Sequence, residues 1–243
     1  HPWRCRVQPR PVQNRKAPHY DSALAEVGPG SAMGEYLRRY WHPIELADNV
    51  KDVPIKIRVL GEDLVLFRTQ MGTPGLLYHR CMHRGTSLEF AKCETDGLRC
   101  CYHGWMFDPK GRCLDQPAEP NRGIAKASFI QPWYPVQERY GLIWAYMGPP
   151  EKKPLLPTIE IFENLGPGER LYLDDRNIGA MLSTPTPVPF NWFQHFENLP
   201  DLAHFAWLHV LHSGAQFDGG GLNAIFQQPN FETWRFMRDS ISW

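Results

Sequence analysis

Two short segments each pair a thiol with an imidazole. Cys81-Met82-His83 is followed by Cys100-Cys101-Tyr102-His103, with sixteen residues between His83 and Cys100. Two loops of this kind, held face to face, offer two thiolates and two ring nitrogens to one metal centre. A Cys2His2 set satisfies tetrahedral zinc, but zinc fingers usually group Cys with Cys and His with His. The mixed grouping suits a [2Fe–2S] cluster with both cysteines on one iron and both histidines on the other, where the neutral imidazoles raise the potential. Gly85 and Gly104 fall just past the histidines, where backbone must come close to the centre.

A second candidate set lies in Asn198-Leu-Pro-Asp201-Leu-Ala-His204-Phe-Ala-Trp-Leu-His209. Asp201 and His204 are i,i+3, about 60° apart around a helix, whereas His204 and His209 are i,i+5, about 140° apart. That pair converges on one metal only if the helix ends or carries a π-bulge between them, so an irregularity is expected there. Two imidazoles and a carboxylate with open positions suit O2-activating non-heme Fe(II). The bland alternative is a core helix, since Leu202, Phe205, Ala206 and Leu208 form an apolar pattern over 198–212.

These residues need a scaffold, and 243 residues suffice for one large or two modest domains. Lys+Arg and Asp+Glu both total 26, so nothing electrostatic favours nucleic acid or an anionic membrane as partner. No apolar run approaches a membrane span. Residues 1–33 open on His1, are basic and Pro-broken, and are expected to be a disordered or non-native leader. A helix is expected over Gly34–Trp41. Ile55, Ile57 and Val59 alternate with Lys56 and Arg58 as a half-buried strand, turning at Gly61–Asp63 into Leu64–Phe67. Leu142–Tyr146 reads as a late buried strand, and Glu151–Pro157 as a linker. Cys101 is expected to be a small buried hydrophobe rather than a ligand. With cysteines assigned to metal and no secretory signal, no disulfide framework is expected, and the compartment reads as cytoplasmic.

C-x-H followed by C-x2-H, with the flanks Cys81-Met-His-Arg-Gly85 and Cys100-Cys-Tyr-His-Gly-Trp105, resembles the Rieske signature. Respiratory-type members carry a disulfide between the loops at positions that are Thr86 and Tyr102 here, so the resemblance is to the oxygenase or ferredoxin branch. Together with the second motif, it extends over about residues 35–212 and is to the α subunits of Rieske non-heme iron oxygenases. The texture of Gly34–Pro43 and Leu88-Glu-Phe90 is most similar to the phthalate dioxygenase group.

This resemblance implies an α+β chain: a small antiparallel β Rieske domain, then the truncated start of an α+β catalytic domain of helix-grip type. The implied organisation is 1–33 leader, 34–152 Rieske [2Fe–2S] domain and 153–243 incomplete catalytic domain. The cluster would sit on Cys81, His83, Cys100 and His103, and a mononuclear Fe(II) on His204 and His209. Asp201 would be a bridge between a metal-bound histidine and a cluster histidine of a neighbouring subunit, with Asn198 near the iron. The third iron ligand, a carboxylate, would lie beyond Trp243. The implied activity is hydroxylation or oxidative demethylation of an aromatic substrate with O2. Electrons would come singly from an NAD(P)H-dependent reductase of flavin or ferredoxin type, within a homotrimer or a multiple of it. The rivals are a Rieske electron carrier, a catalytically incomplete fragment and a zinc-stapled binding module.

Overall fold

The computed structural model describes residues 21–173, 190–201 and 204. Contacts divide the chain into two compact units, 1–187 and 188–243. In the first, α1 (Ser22–Ala25) and α2 (Ala32–Leu37) lead into eleven short strands. Residues 21–33, grouped above with the leader, contain ordered helix here: Asp21 caps α1, Ser31 caps α2 by accepting from the Gly34 N–H, and Ala25 is buried. The helix expected over Gly34–Trp41 instead ends at Leu37, and Trp41 opens strand β1 (Trp41–Leu46). Pairing of β1 with β11 (Leu142–Tyr146) overrides local helix propensity and buries Trp41 against Tyr146.

A three-stranded antiparallel sheet has the order β1-β11-β10, where β10 is Val136–Arg139. A second sheet is ordered β2 (Ile55–Val59), β3 (Glu62–Arg68), β4 (Pro74–Tyr78), β9 (Trp133–Tyr134). The β2–β3 turn is Leu60-Gly61, one residue earlier than expected, because Val59 pairs with Glu62. Both turn residues have positive φ, the twist a two-residue hairpin requires. Tyr140-Gly141 repeats this device between β10 and β11. The third sheet consists of β5 (Lys92–Cys93), β6 (Leu98–Arg99), β7 (Met106–Phe107) and β8 (Cys113–Asp115).

The middle sheet is buried on both faces. Leu64, Leu66 and Leu76 pack with Ile143, Ala145 and Val50 on one side. Val65, Phe67 and Leu77 pack on the other with Leu98, Phe107 and the cysteines Cys81, Cys93, Cys100 and Cys113. That is why Leu64–Phe67 is continuously apolar whereas β2 alternates. Each fully buried aliphatic here contributes roughly 1.5–3 kcal/mol. The segment expected as a linker lies against the first sheet: the Trp41 indole donates to the Pro154 carbonyl (2.9 Å), and Leu156 packs on the same aromatic cluster.

Candidate metal centre

Cys81–Thr86 and Cys100–Trp105 are six-residue loops closed by antiparallel pairs, Arg80 with Ser87 and Arg99 with Met106. Their backbones follow one hydrogen-bond plan. The Cys81 N–H donates to the Thr86 carbonyl (2.9 Å), and the Gly85 N–H to the Cys81 carbonyl (2.8 Å). In the second loop the Cys100 N–H donates to the Trp105 carbonyl (2.8 Å), and the Gly104 N–H to the Cys100 carbonyl (3.1 Å). Gly85 and Gly104 have φ of +71° and +73°, a conformation open to glycine at little cost. In both loops backbone N–H groups two and three residues on pull the cysteine pKa downward, those of His83 and Arg84 for Cys81 and of Tyr102 and His103 for Cys100. The histidine is the first of these residues in one loop and the second in the other.

The plan brings the four expected ligands together as two pairs. Cys81 and Cys100 are buried free thiols whose sulfurs hydrogen-bond one another. That bond pushes the Cys100 thiol down to about 6 and the Cys81 thiol up. The His83 and His103 rings meet edge to face with centroids 4.7 Å apart, and both are half-exposed. Burial, then His103 and Arg84, lowers the His83 pKa and favours the neutral imidazole that ligation needs. Among the described residues no three His, Cys, Asp or Glu side chains converge as a single ion requires. Sulfur paired with sulfur and ring with ring is instead the donor partition of a two-iron cluster, so these residues fit a [2Fe–2S] group.

Residues that sequence reasoning missed hold the loops in place. Gln131, fully buried, accepts from the Met82 N–H (2.8 Å) and donates to the carbonyls of Tyr78 (2.9 Å) and Arg80 (2.8 Å). Arg99 donates to the Gly104 carbonyl (2.7 Å) and to Asp115 (2.9 Å), and pairs with Glu94 (2.9 Å). A lone Gln before a proline and an Arg in a short strand carry no motif, and only Cys100 lying beside Arg99 could have drawn notice. Cys101, expected to be buried, is exposed: Cys100 turns inward, so its neighbour points outward. Beside His83 lies an open groove of about 500 Å3, lined by Met82, Trp105, Glu119, Ile124 and Phe129 among others.

In the second unit, helix α3 (Trp192–Asn198) is capped by Asn191 and ends at the expected site residue Asn198, which is exposed. Asp201 follows and accepts from the His204 N–H through its carboxylate (3.0 Å), as an N-cap does. His204 Nδ1 lies 3.0 Å from the Asp201 carbonyl, which can only accept. This contact places a proton on Nδ1, and in the neutral tautomer that leaves the Nε2 lone pair for ligation, the arrangement by which carbonyls behind a ligating histidine orient its ring. His209, and the irregularity expected between it and His204, lie outside the described residues.

Residues 40–135 match the model of the Rieske [2Fe-2S] domain. Over 202 residues the chain is 52% identical to the phenoxybenzoate dioxygenase α subunit of Ectopseudomonas oleovorans, a match covering 82% of this chain and 49% of the relative. It is 43% identical over 192 residues to the oxygenase subunit of a tert-butanol monooxygenase / tert-amyl alcohol desaturase from Aquincola tertiaricarbonis, covering 76% and 37%. It is 32% identical over 195 residues to the phthalate 4,5-dioxygenase oxygenase subunit of Pseudomonas putida, covering 79% and 42%. The chain thus spans half or less of the length of these curated relatives. With its paired thiols and paired imidazoles on twin loops, residues 40–135 form a Rieske [2Fe-2S] domain, and over the matched residues the chain is similar to the oxygenase subunits above.

Proposed function

We propose that the chain is the cluster-bearing part of an oxygenase component that hydroxylates or oxidatively demethylates an aromatic compound with O2. The observation that carries this reading is the pair of twin loops, one presenting Cys81 and His83 and the other Cys100 and His103, with the thiols buried and the two imidazoles half-exposed and in contact. In this reading residues 34–152 hold the cluster on Cys81, His83, Cys100 and His103, and 153–243 begin an oxygenase domain. His204 and His209 bind a mononuclear Fe(II) there. When bound, the cluster supplies one-electron transfer and the second iron supplies O2 activation.

The chain's own residues prepare both sites. Backbone N–H groups near each sulfur favour the thiolates. The sulfurs are shut from water, while the imidazoles form the edge that a reductase of flavin or ferredoxin type can reach. Asp201 fixes the His204 ring so that Nε2 is the ligating nitrogen, and it bridges to a cluster histidine of the neighbouring subunit in a homotrimer or a multiple of it. Asn198 lies beside the iron. Among the described residues no helix is long and apolar enough to cross a membrane; we place the protein in the cytoplasm. The relatives named for phenoxybenzoate and phthalate favour an aromatic substrate, and the one named for tert-butanol marks an alkyl alcohol as the competing class.

Iron and sulfide analysis of anaerobically purified protein, with EPR after dithionite reduction, tests the reading. About two irons and two sulfides per chain with a Rieske-type signal support it. One zinc, no sulfide and no signal overturn it in favour of a stapled binding module.

A further inference from the structure

Gln131 is a fully buried amide side chain. It spends its amide on backbone of the first ligand loop and its entry strand, although 49 residues separate it from Met82. One oxygen takes the Met82 N–H and one NH2 spans the Tyr78 and Arg80 carbonyls, so three points on either side of Cys81 are tied to a single planar group. Its own backbone is anchored separately, the N–H donating to the Gly111 carbonyl (2.7 Å). Each loop also has an arginine on the carbonyl of its glycine, Arg80 on Gly85 (3.3 Å) and Arg99 on Gly104 (2.7 Å). In loop one the Gln131 amide adds three further ties to that brace.

Met82 lies between Cys81 and His83, so its peptide joins the two expected ligands of the first loop. Fixing that peptide, together with the Tyr78 and Arg80 carbonyls, fixes the backbone from which both side chains leave. Groups that orient ligands set a cluster's retention and tune its potential. We infer that Gln131 is a positioning residue for the [2Fe–2S] centre: by clamping the Met82 peptide it holds Cys81 and His83 in register, tuning the potential and slowing cluster loss. This rests on the cluster reading above.

The test compares the parent with Gln131→Met, which keeps the length of the side chain and deletes all three hydrogen bonds, and Gln131→Glu, which keeps an acceptor for the Met82 N–H. Amide hydrogen exchange at Met82 reads the clamp directly, with or without metal. Chelator-driven cluster loss, the reduced EPR signal and the midpoint potential read its consequence. Expected for Gln131→Met are fast Met82 exchange, cluster loss accelerated about 10–100-fold, and a shifted EPR signal and potential, with partial recovery in Gln131→Glu. Unchanged EPR and potential in Gln131→Met overturn the inference, even if stability falls, because the residue is then only structural. If Gln131→Met does not fold, Gln131→Glu decides: parental retention, EPR and potential overturn it. A parent with protected Met82 but no iron or sulfide overturns the cluster reading instead, and this inference with it.

Discussion

The indole of Trp105 lies parallel to the imidazole of His83, with ring centroids 4.5 Å apart and planes within 7°. Trp105 comes from the closing residue of one ligand loop and His83 from the other, so this stack joins the loops without a disulfide. Phe129 meets the indole edge-on at 5.1 Å, and Trp105 is 5% exposed. Trp105→Ala is expected to cost about 3–5 kcal/mol, visible in denaturant unfolding. It should also broaden the His83 ring resonances in the metal-free protein, since the ring loses its platform.

Gly85 and Gly104 share a left-handed backbone but differ in surroundings. A Cβ at Gly85 meets nothing within 4 Å, whereas one at Gly104 comes 2.6 Å from Cγ of Pro117. Gly85→Ala should cost only the conformational penalty, about 1–2 kcal/mol. Gly104→Ala should cost more, because a ring must move as well. Equal losses in urea titrations would contradict the steric difference.

Asp115 stands beside Arg99 and Arg122. Burial alone would raise its pKa, but the hydrogen bonds from the two guanidinium groups outweigh it and hold the carboxyl below its ordinary 3.8. A depressed carboxylate stabilises the fold above the unfolded value and loses that contribution as pH falls through the folded one. Stability should therefore decline as pH drops below about 4, and Asp115→Asn should flatten that acid limb of a melting-temperature profile.

Tyr134 gives the opposite limb. Burial, and then its hydrogen bonds to the Glu62 carboxylate, push the phenol up to about 12 from 10.0. A group raised in the fold stabilises it fully below the unfolded value, so this contribution should fade between pH 10 and about 12. Absorbance titration of the phenolate at 295 nm, compared with Tyr134→Phe, checks the assignment.

Asp201→Asn separates capping from charge. Asn caps a helix as well as Asp does, so the His204 N–H keeps its acceptor and the local fold should survive. In the full-length protein both metals should bind, yet single-turnover electron transfer to the second site should slow severely. Parental transfer rates in that variant would remove Asp201 from the bridging role.

What could be recognised from the chain alone was its local chemistry. Four ligands in two short loops, glycines beyond the histidines, and a strand alternating Ile55, Ile57 and Val59 are statements about neighbours a few residues apart. Residue type and spacing carry them directly. The end of α2 at Leu37 and the β2–β3 turn at Leu60-Gly61 were misplaced because strand pairing, not local propensity, sets them. The double burial of Leu64–Phe67, the stack of Trp105 on His83 and the hold of Gln131 on Met82 were invisible for the same reason. Each depends on which distant backbones come to lie together. Ligand identity is a property of side chains, but the aim of the donors around them is a property of the packed chain.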